Sequence, residues 1–129
     1  MFAPNRSEAA AALDRPIDGL DQLVTAASEL RGLGATSVVV SSGADGLVAV
    51  AGQGAWLARP PQLISGNPTG AGDALTAAIA AGPSRAQTWP EVLATGVAWS
   101  AGAVAMPWAG QVDERVIADL RSQVIVEEL

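Results

Sequence analysis

The sequence of 129 residues contains no cysteine and no histidine. The absence of cysteine excludes disulfides and thiol nucleophiles, and the absence of histidine excludes His-based catalytic triads. The usual zinc sites are excluded as well, because they are built from these two residue types. The groups that remain for chemistry are carboxylates, hydroxyls and the polar atoms of the backbone.

Positive charge is scarce. The chain has no lysine and only seven scattered arginines against 13 acidic residues, which gives a formal charge of -6. A surface that binds nucleic acid would show clustered positive charge, so we expect no nucleic-acid partner. A P-loop NTPase is excluded because its phosphate-binding motif needs a lysine, and nothing in the sequence supports a Rossmann dinucleotide site.

Long hydrophobic runs are also missing. Glycine, proline or charged residues interrupt every apolar run before it reaches a membrane-spanning length, and the N-terminus lacks a basic region followed by an apolar one. We therefore expect a cytoplasmic protein with no membrane partner. Hydrophobic residues make up 50% of the chain and charged residues 16%, which argues against disorder and leaves apolar surface for a partner. The length predicts a single domain over residues 1–129.

Helical spacing and capping signals predict the helices. The alanine-rich residues 5–15 indicate a short helix that Pro16 ends. Asp18 is a candidate cap for a second helix, whose apolar pattern ends at residues 32–34. Three further helices are predicted from Asp73 to about Ala81, from a capping box at Thr88 and Glu91 to about Met106, and from Asp113 to about Arg121.

The strand signals are concentrated in the first half of the chain. Residues 36–41 are rich in β-branched side chains and almost uniformly apolar, which predicts a strand buried on both faces and hence a parallel sheet. Residues 47–50 and 55–58 flank a glycine turn and predict a hairpin. Residues 62–64 and 124–126 are candidates for short additional strands, the latter for a strand or a tail.

The octet Asn-Pro-Thr-Gly-Ala-Gly-Asp-Ala at residues 67–74 carries the clearest chemistry. Gly70 and Gly72 allow a phosphate to approach the backbone, and the N–H groups near Ala71 at the start of a helix donate to anions. Asp73 beside them can accept a proton from an attacking hydroxyl. The structural alternative is a loop before a helix, in which the aspartate only complements the helix dipole.

Two weaker motifs precede the octet. Asn5 and Glu8 have the spacing of a capping box, which stabilises a helix start without any other function. Residues 40–46 read as a strand followed by a turn with Gly43 and Gly46, and Asp-Gly turns of this kind are common. The four tryptophans are interpreted as packing residues and not as platforms for a base: Trp56, Trp89, Trp99 and Trp108.

In this order the three motifs resemble those of the ribokinase-like (PfkB) carbohydrate kinases. The resemblance implies an α/β, three-layer αβα ribokinase-like fold, of which this chain holds only the C-terminal, ATP-binding portion. It also implies that Asp73 is the catalytic base and that Gly70, Ala71 and Gly72 form the anion hole.

The other two motifs gain roles from the same resemblance. It implies that Ser42, Gly43 and Gly46 bind the nucleotide and that Asn5 and Glu8 organise Mg²⁺ indirectly, through water. ATP and Mg²⁺ are therefore the expected cofactors. Asn67 departs from the many relatives that carry aspartate there, which puts a monovalent cation site in doubt. Asn-Pro-Thr-Gly is closer to the branch that contains tagatose-6-phosphate kinase and 1-phosphofructokinase.

The resemblance predicts phosphoryl transfer from ATP to a hydroxyl of a sugar or sugar phosphate. Complete enzymes of the family are more than twice this long, and most of their sugar-binding residues lie in the part that this chain lacks. The alternative function is a truncated, non-catalytic nucleotide-binding remnant that self-associates or regulates. Either function predicts a homo-oligomer, because half of such a fold exposes sheet edge and apolar surface.

Overall fold

The computed structural model describes residues 1–62, 64–82 and 86–129. It divides into two compact units. The first unit contains Met1–Leu57 and Glu127–Leu129, and the second contains Ala58–Val126. The expectation of one domain over residues 1–129 stays a prediction.

The chain contains both helices and strands, as predicted for an α/β protein. The helices are α1 (Arg6–Ala12), α2 (Gly19–Gly32), α3 (Ala71–Ala81), α4 (Trp89–Val104) and α5 (Glu114–Arg121). The strands are β1 (Ser37–Ser41), β2 (Leu47–Ala51), β3 (Gly54–Arg59) and β4 (Ile125–Glu128), which form one sheet in the order β1-β2-β3-β4. A single turn of 3-10 helix at Gly43–Asp45 connects β1 to β2.

The prediction of a parallel sheet was wrong for the pairing of β1. This strand pairs with β2 in antiparallel fashion, so that Ser37 lies opposite Ala51 and Ser41 opposite Leu47. Parallel pairing occurs at isolated bridges that join the N-terminal segment to the other edge of β1. Burial on both faces shows that a strand lies inside the sheet, but it does not determine the direction of its neighbours. All residues of the antiparallel β2 are buried too.

In the first unit, α1 and α2 pack on β1 and β2. Ala9 of α1 and four alanine and leucine positions of α2 are almost completely buried against valines of both strands. The small side chains allow the helices to approach the sheet closely. The core of this unit comprises Ala9, Ile17, Leu23, Ala26, Ala27, Leu30, Val38, Val40, Val48, Val50 and Leu57.

In the second unit, α4 is the central helix. Its Gly96 faces Leu75 and Ile79 of α3, and a Cβ at this glycine would come within 2.9 Å of both side chains. Its Gly102 faces Ile117 of α5 in the same way. Glycine at these two positions therefore brings both neighbouring helices close to α4.

Most predicted elements are present, with shifted ends. The capping box of Thr88 and Glu91 begins α4, and the Asp113 side chain accepts from two backbone N–H groups at the start of α5. Asp18 is the N-cap residue of α2, but its side chain makes no capping bond. Gln62 and Ile64 are not in a strand, while Leu63 lies outside the described residues.

The hairpin is confirmed, since only Gly52 and Gln53 separate the neighbouring strands β2 and β3. The C-terminal residues Ile125–Glu128 form β4, which lies beside β3 as the last strand in the sheet order. Within the described ranges, every helix is too short or too polar to cross a membrane.

Candidate active site

The octet leads directly into helix α3 in the second unit, as predicted. Gly70 is the N-cap residue of α3 and adopts the left-handed region, with φ of 86°. A residue with a Cβ is strained in that region, which explains glycine at this position. Helix α3 starts immediately after it, so that Asp73 is in the first turn.

Two backbone donors at the start of α3 are open. Ala71 N–H donates to the Pro68 carbonyl over 3.2 Å, whereas no acceptor among the described residues receives the N–H of Gly72 or of Asp73. Both of these residues are exposed, and a Cβ built on Gly72 would meet no atom within 4 Å. Because unpaired N–H groups and the helix dipole both favour negative charge, this end of α3 is suited to bind an anion.

Asn67 attaches the turn to the C-terminal end of α4. Its backbone N–H donates to the Val104 carbonyl at 2.9 Å, and its side-chain Nδ2 donates to the Pro107 carbonyl at 3.1 Å. Its Oδ1 accepts from Thr69 N–H at 3.0 Å. The amide thus uses its donor on one side and its acceptor on the other, which fixes the approach of the chain to Gly70.

The loop that follows α4 lies against this turn. A Cβ built on Gly70 would be 3.4 Å from the backbone nitrogen of Gly110 and 3.7 Å from the Cβ of Ala109. Trp108, which precedes these two residues, is 72% exposed. The packing interpretation is confirmed for the buried Trp56, but it was wrong for Trp108.

In the first unit, Asn5 and Glu8 form a reciprocal capping box. Asn5 Oδ1 accepts from Glu8 N–H at 2.9 Å, and Glu8 Oε2 accepts from Asn5 N–H at 2.9 Å. Asn5 and Glu8 therefore form the capping box that was the structural alternative for this motif. The cap uses only one carboxylate oxygen of Glu8, and both side chains are exposed.

The same unit brings the Asn5 and Glu8 motif next to the turn that follows β1. Asn5 forms a parallel bridge with Ser41, and Arg6 pairs with Asp45 of the turn through Nη2 and Oδ2 at 3.0 Å. This ion pair was not predicted, because no local signal connects residues 39 positions apart. Arg6 Nε is buried and has no hydrogen-bond partner among the described residues.

In the turn after β1, some positions are buried and maintain the turn, and others are exposed. Gly46 is buried, has φ of 93° and donates its N–H to the Gly43 carbonyl at 3.1 Å. Ser42 N–H donates to the Gly46 carbonyl at 2.8 Å, which closes the turn. Gly43 is exposed, also with positive φ, and a Cβ there would meet nothing within 4 Å. The open side of the turn is therefore at Ser42 and Gly43.

The predicted site residues thus form two groups. Asn5 and Glu8 lie near the turn of Ser42 to Gly46 in the first unit, and the four residues from Gly70 to Asp73 are contiguous in the second unit.

Comparison with known proteins identifies the family of the chain. Residues 1–111 match the family model described as pfkB family carbohydrate kinase. This chain belongs to the pfkB family of carbohydrate kinases. The fold that the motifs predicted, and the family that they resemble, are thereby confirmed.

One relative within the pfkB family is 1-phosphofructokinase of Escherichia coli, which is 30% identical over 124 residues. The alignment covers 96% of this chain and 40% of that enzyme. A second is 1-phosphofructokinase of Rhodobacter capsulatus, which is 37% identical over 104 residues, or 81% of this chain and 33% of the relative. The chain therefore spans at most about two fifths of the length of these enzymes.

Solved structures also match nearly the whole of this chain and at most half of their own length. Phosphofructokinase-2 from Escherichia coli, in a complex with potassium, superposes with a TM-score of 0.86 at 25% identity. The superposition covers 94% of this chain and 40% of that protein. The pfkB fold is thus preserved over nearly the whole of the present chain.

The residues that could hold a metal in this pfkB chain are few. No group of three or more carboxylates gathers in the part of the chain that the structure describes. The exposed carboxylate of Glu8 and the amide of Asn5 fit a hydrated Mg²⁺, since this ion keeps several waters and needs few protein oxygens.

Proposed function

We propose that this chain takes part in ATP-dependent phosphoryl transfer to a hydroxyl of a sugar or sugar phosphate. In this proposal it supplies the nucleotide-binding, anion-binding and general-base residues. The observation that carries the proposal is the turn at Gly70 with its unpaired N–H groups and the exposed Asp73, in a chain of the pfkB family. The activity of complete relatives supports it, although this chain covers only 40% of the first of them.

Asp73 acts as the general base. Its carboxylate takes the proton of the acceptor hydroxyl while the hydroxyl oxygen bonds to the γ-phosphorus of ATP. The bond from this phosphorus to the oxygen that bridges the β- and γ-phosphates breaks at the same time, and ADP leaves. The aspartate lies in the same helical turn as the anion-binding N–H groups, which supports this role.

Gly70, Ala71 and Gly72 form the anion hole beside Asp73. The N–H groups of Gly72 and Asp73 are the free donors, and Ala71 N–H is shared with the Pro68 carbonyl. Negative charge accumulates on the transferred phosphoryl group, and backbone donors that are already fixed in place stabilise it at no cost in reorganisation. The left-handed Gly70 immediately precedes these donors at the start of α3.

The first unit serves the nucleotide and the metal. Ser42 and Gly43 offer a hydroxyl and an open backbone to phosphate oxygens, while the buried Gly46 maintains the turn. Asn5 and Glu8 would hold Mg²⁺ through water, with the carboxylate oxygen that the cap leaves unused. When bound, the ion neutralises charge on the phosphate oxygens.

To test the proposal, ATP binding is measured first and turnover of an acceptor second. Isothermal titration of the folded chain with ATP and Mg²⁺ should show binding, and a panel of sugars and sugar phosphates should reveal an acceptor. Asp73→Asn should lower kcat by about 100-fold or more, because a positioned general base typically contributes that much. ATP affinity should change little. A folded wild type that fails to bind ATP would contradict the nucleotide-binding part of the proposal.

A second candidate is a non-catalytic, self-associating remnant. Several large apolar side chains are exposed in the first unit, among them Phe2 at 42% and Leu129 at 52%. Exposed apolar surface of this kind favours association with another chain. ATP binding without turnover on any acceptor would support this candidate, and turnover that Asp73→Asn abolishes would remove it. A cytoplasmic location stays a prediction.

A further inference from the structure

Trp108 is the most exposed of the four tryptophans, with 72% of its surface accessible. Trp56 is 6% exposed, and Trp89 and Trp99 are half-buried. Indole is a large apolar ring, which proteins usually bury or place where its face meets a partner. Packing within the second unit does not explain a tryptophan at this position.

The backbone on both sides of Trp108 is held against the anion-binding turn. Pro107 accepts a hydrogen bond from the side chain of Asn67 at 3.1 Å. Ala109 and Gly110 lie within 3.7 Å of the position that a Cβ of Gly70 would occupy. The chain at Trp108 is therefore held next to the turn, while the indole ring remains accessible.

The anion-binding turn has no cationic side chain of its own. Residues 66–81 and 104–113, which make up α3, the turn and the loop of Trp108, contain neither lysine nor arginine. Neutral N–H donors at Gly72 and Asp73 are then the local source of affinity for a phosphate. A ligand that also had a flat ring could gain further affinity from the neighbouring indole, because stacking between a base and an aromatic side chain needs no matching charge.

We propose that Trp108 stacks on the base of the nucleotide whose phosphates bind at the turn from Gly70 to Asp73. This inference rests on the proposed function. It adds a residue that contacts the nucleoside part of ATP, and it assigns the two parts of the ligand to different elements. The phosphates bind to backbone at the start of α3, and the base packs on a side chain of the loop after α4.

The experiment compares two ligands that share the phosphates. MgATP and magnesium tripolyphosphate are titrated calorimetrically into the wild type, Trp108→Leu and Trp108→Phe. Trp108→Leu should weaken MgATP binding about tenfold, as expected for the loss of one stacked base, and should leave tripolyphosphate binding unchanged. Trp108→Phe should restore part of the lost affinity, because phenylalanine keeps an aromatic face.

Trp99→Phe is the control, since it removes a half-buried indole from α4 and should change neither affinity. Thermal unfolding of each variant establishes that it is folded, and the exposure of Trp108 predicts an unchanged midpoint. Fluorescence gives an independent measurement: MgATP should quench the wild type more than it quenches Trp108→Phe.

The titrations distinguish failure of the stacking proposal from failure of the proposed function. If the wild type binds MgATP and Trp108→Leu binds it equally well, base stacking is overturned while the proposed function stands. Equal losses for MgATP and tripolyphosphate would also overturn stacking, because they would show that the substitution disturbs the turn. A folded wild type that binds neither ligand would overturn both proposals.

Discussion

Asn67 shows how one side chain determines the geometry around the candidate base. Its Nδ2 donates to the Pro107 carbonyl, and its Oδ1 accepts from Thr69 N–H. Of the common short polar side chains, only an amide offers a donor and an acceptor on separate atoms in this way. The sequence marked Asn67 only as a departure from relatives with aspartate, and the structure shows what the amide does.

Replacement of the Asn67 amide should weaken the attachment of the turn to Pro107. Asn67→Asp should lower the free energy of unfolding by about 1 to 2 kcal/mol, because the donor to Pro107 is lost and a carboxylate oxygen faces the carbonyl. Urea denaturation measures the change. Asn67→Ser is the matched control, since it loses the same donor without adding charge, and it should cost less. An Asn67→Asp variant as stable as the wild type would show that the bond to Pro107 contributes nothing.

Motifs that depend on adjacent residues could be predicted from the sequence more fully than motifs whose role depends on a ligand or metal. The glycine and aspartate of the octet act through local backbone geometry, which follows from a few adjacent residues, and the turn at Gly70 matches that expectation. The roles of Ser42, Gly46, Asn5 and Glu8 depend on what approaches them. For Asn5 and Glu8 the capping function is now visible, and their role near Mg²⁺ stays a prediction.

At the scale of elements, α4 has the clearest local origin. Both the backbone N–H and the Oγ1 of Thr88 donate to Glu91 Oε2 at 2.8 Å, and Pro90 occupies the first turn. Proline is favourable there, because its missing N–H would have no helical partner. The capping signals were sufficient to predict where this helix starts.

This cap predicts a dependence of stability on pH. The hydrogen bonds from Thr88, first that of its backbone, hold the pKa of Glu91 below its ordinary value of 4.5. A carboxylate with a lowered pKa in the folded state stabilises that state above the unfolded pKa, and the contribution is lost as pH falls through the folded pKa. The wild type should therefore be more stable than Glu91→Gln at pH 7, and the difference should shrink below about pH 4.5, as the pH falls through the lowered pKa of Glu91.

Chemical denaturation of both proteins across this pH range measures the difference. Glu114→Gln is a suitable control, because it removes another exposed carboxylate from the first turn of a helix without removing a capping bond. If the difference between wild type and Glu91→Gln did not shrink as the pH fell from 7 into the acid range, ionisation of Glu91 would not be its cause.

The direction of β1 relative to its neighbour could not be predicted from the local sequence. A run of valines fits a central strand of either kind of sheet, because burial depends on the layers above and below the strand. The direction of β1 relative to β2 follows instead from the short connection through Gly43–Asp45, which reverses the chain within a few residues.

At the scale of the whole molecule, the N-terminal edge of the sheet is open. Phe2 N–H donates to the Ser37 carbonyl and the Phe2 carbonyl accepts from Val39 N–H, so that residues 2–5 run beside β1. Among the described residues, none pairs with the backbone N–H or carbonyl of Ala3. An edge with unpaired backbone groups and an exposed phenylalanine is suited to pair with another chain.

We therefore predict that the protein self-associates through this edge. Sedimentation velocity over a range of concentrations should give a mass above the 12.9 kDa of one chain. Phe2→Ser should shift the equilibrium towards monomer by removing apolar area at the edge. Leu33→Ser is the control, because Leu33 is 78% exposed at the end of α2, outside the sheet. A wild type that is monomeric at all concentrations would contradict the prediction.

The sequence by itself determined the family, the helix starts and the glycine turn before α3 of this protein. These depend on short-range features: a glycine that permits positive φ, capping side chains three residues from their partners, and N–H groups left unpaired at a helix start. The tertiary structure decided the direction of β1, the ion pair of Arg6 with Asp45, the attachment of Asn67 to Pro107 and the exposure of Trp108. Each of these depends on which distant segments meet, and that is settled by the packing of layers and not by local propensity.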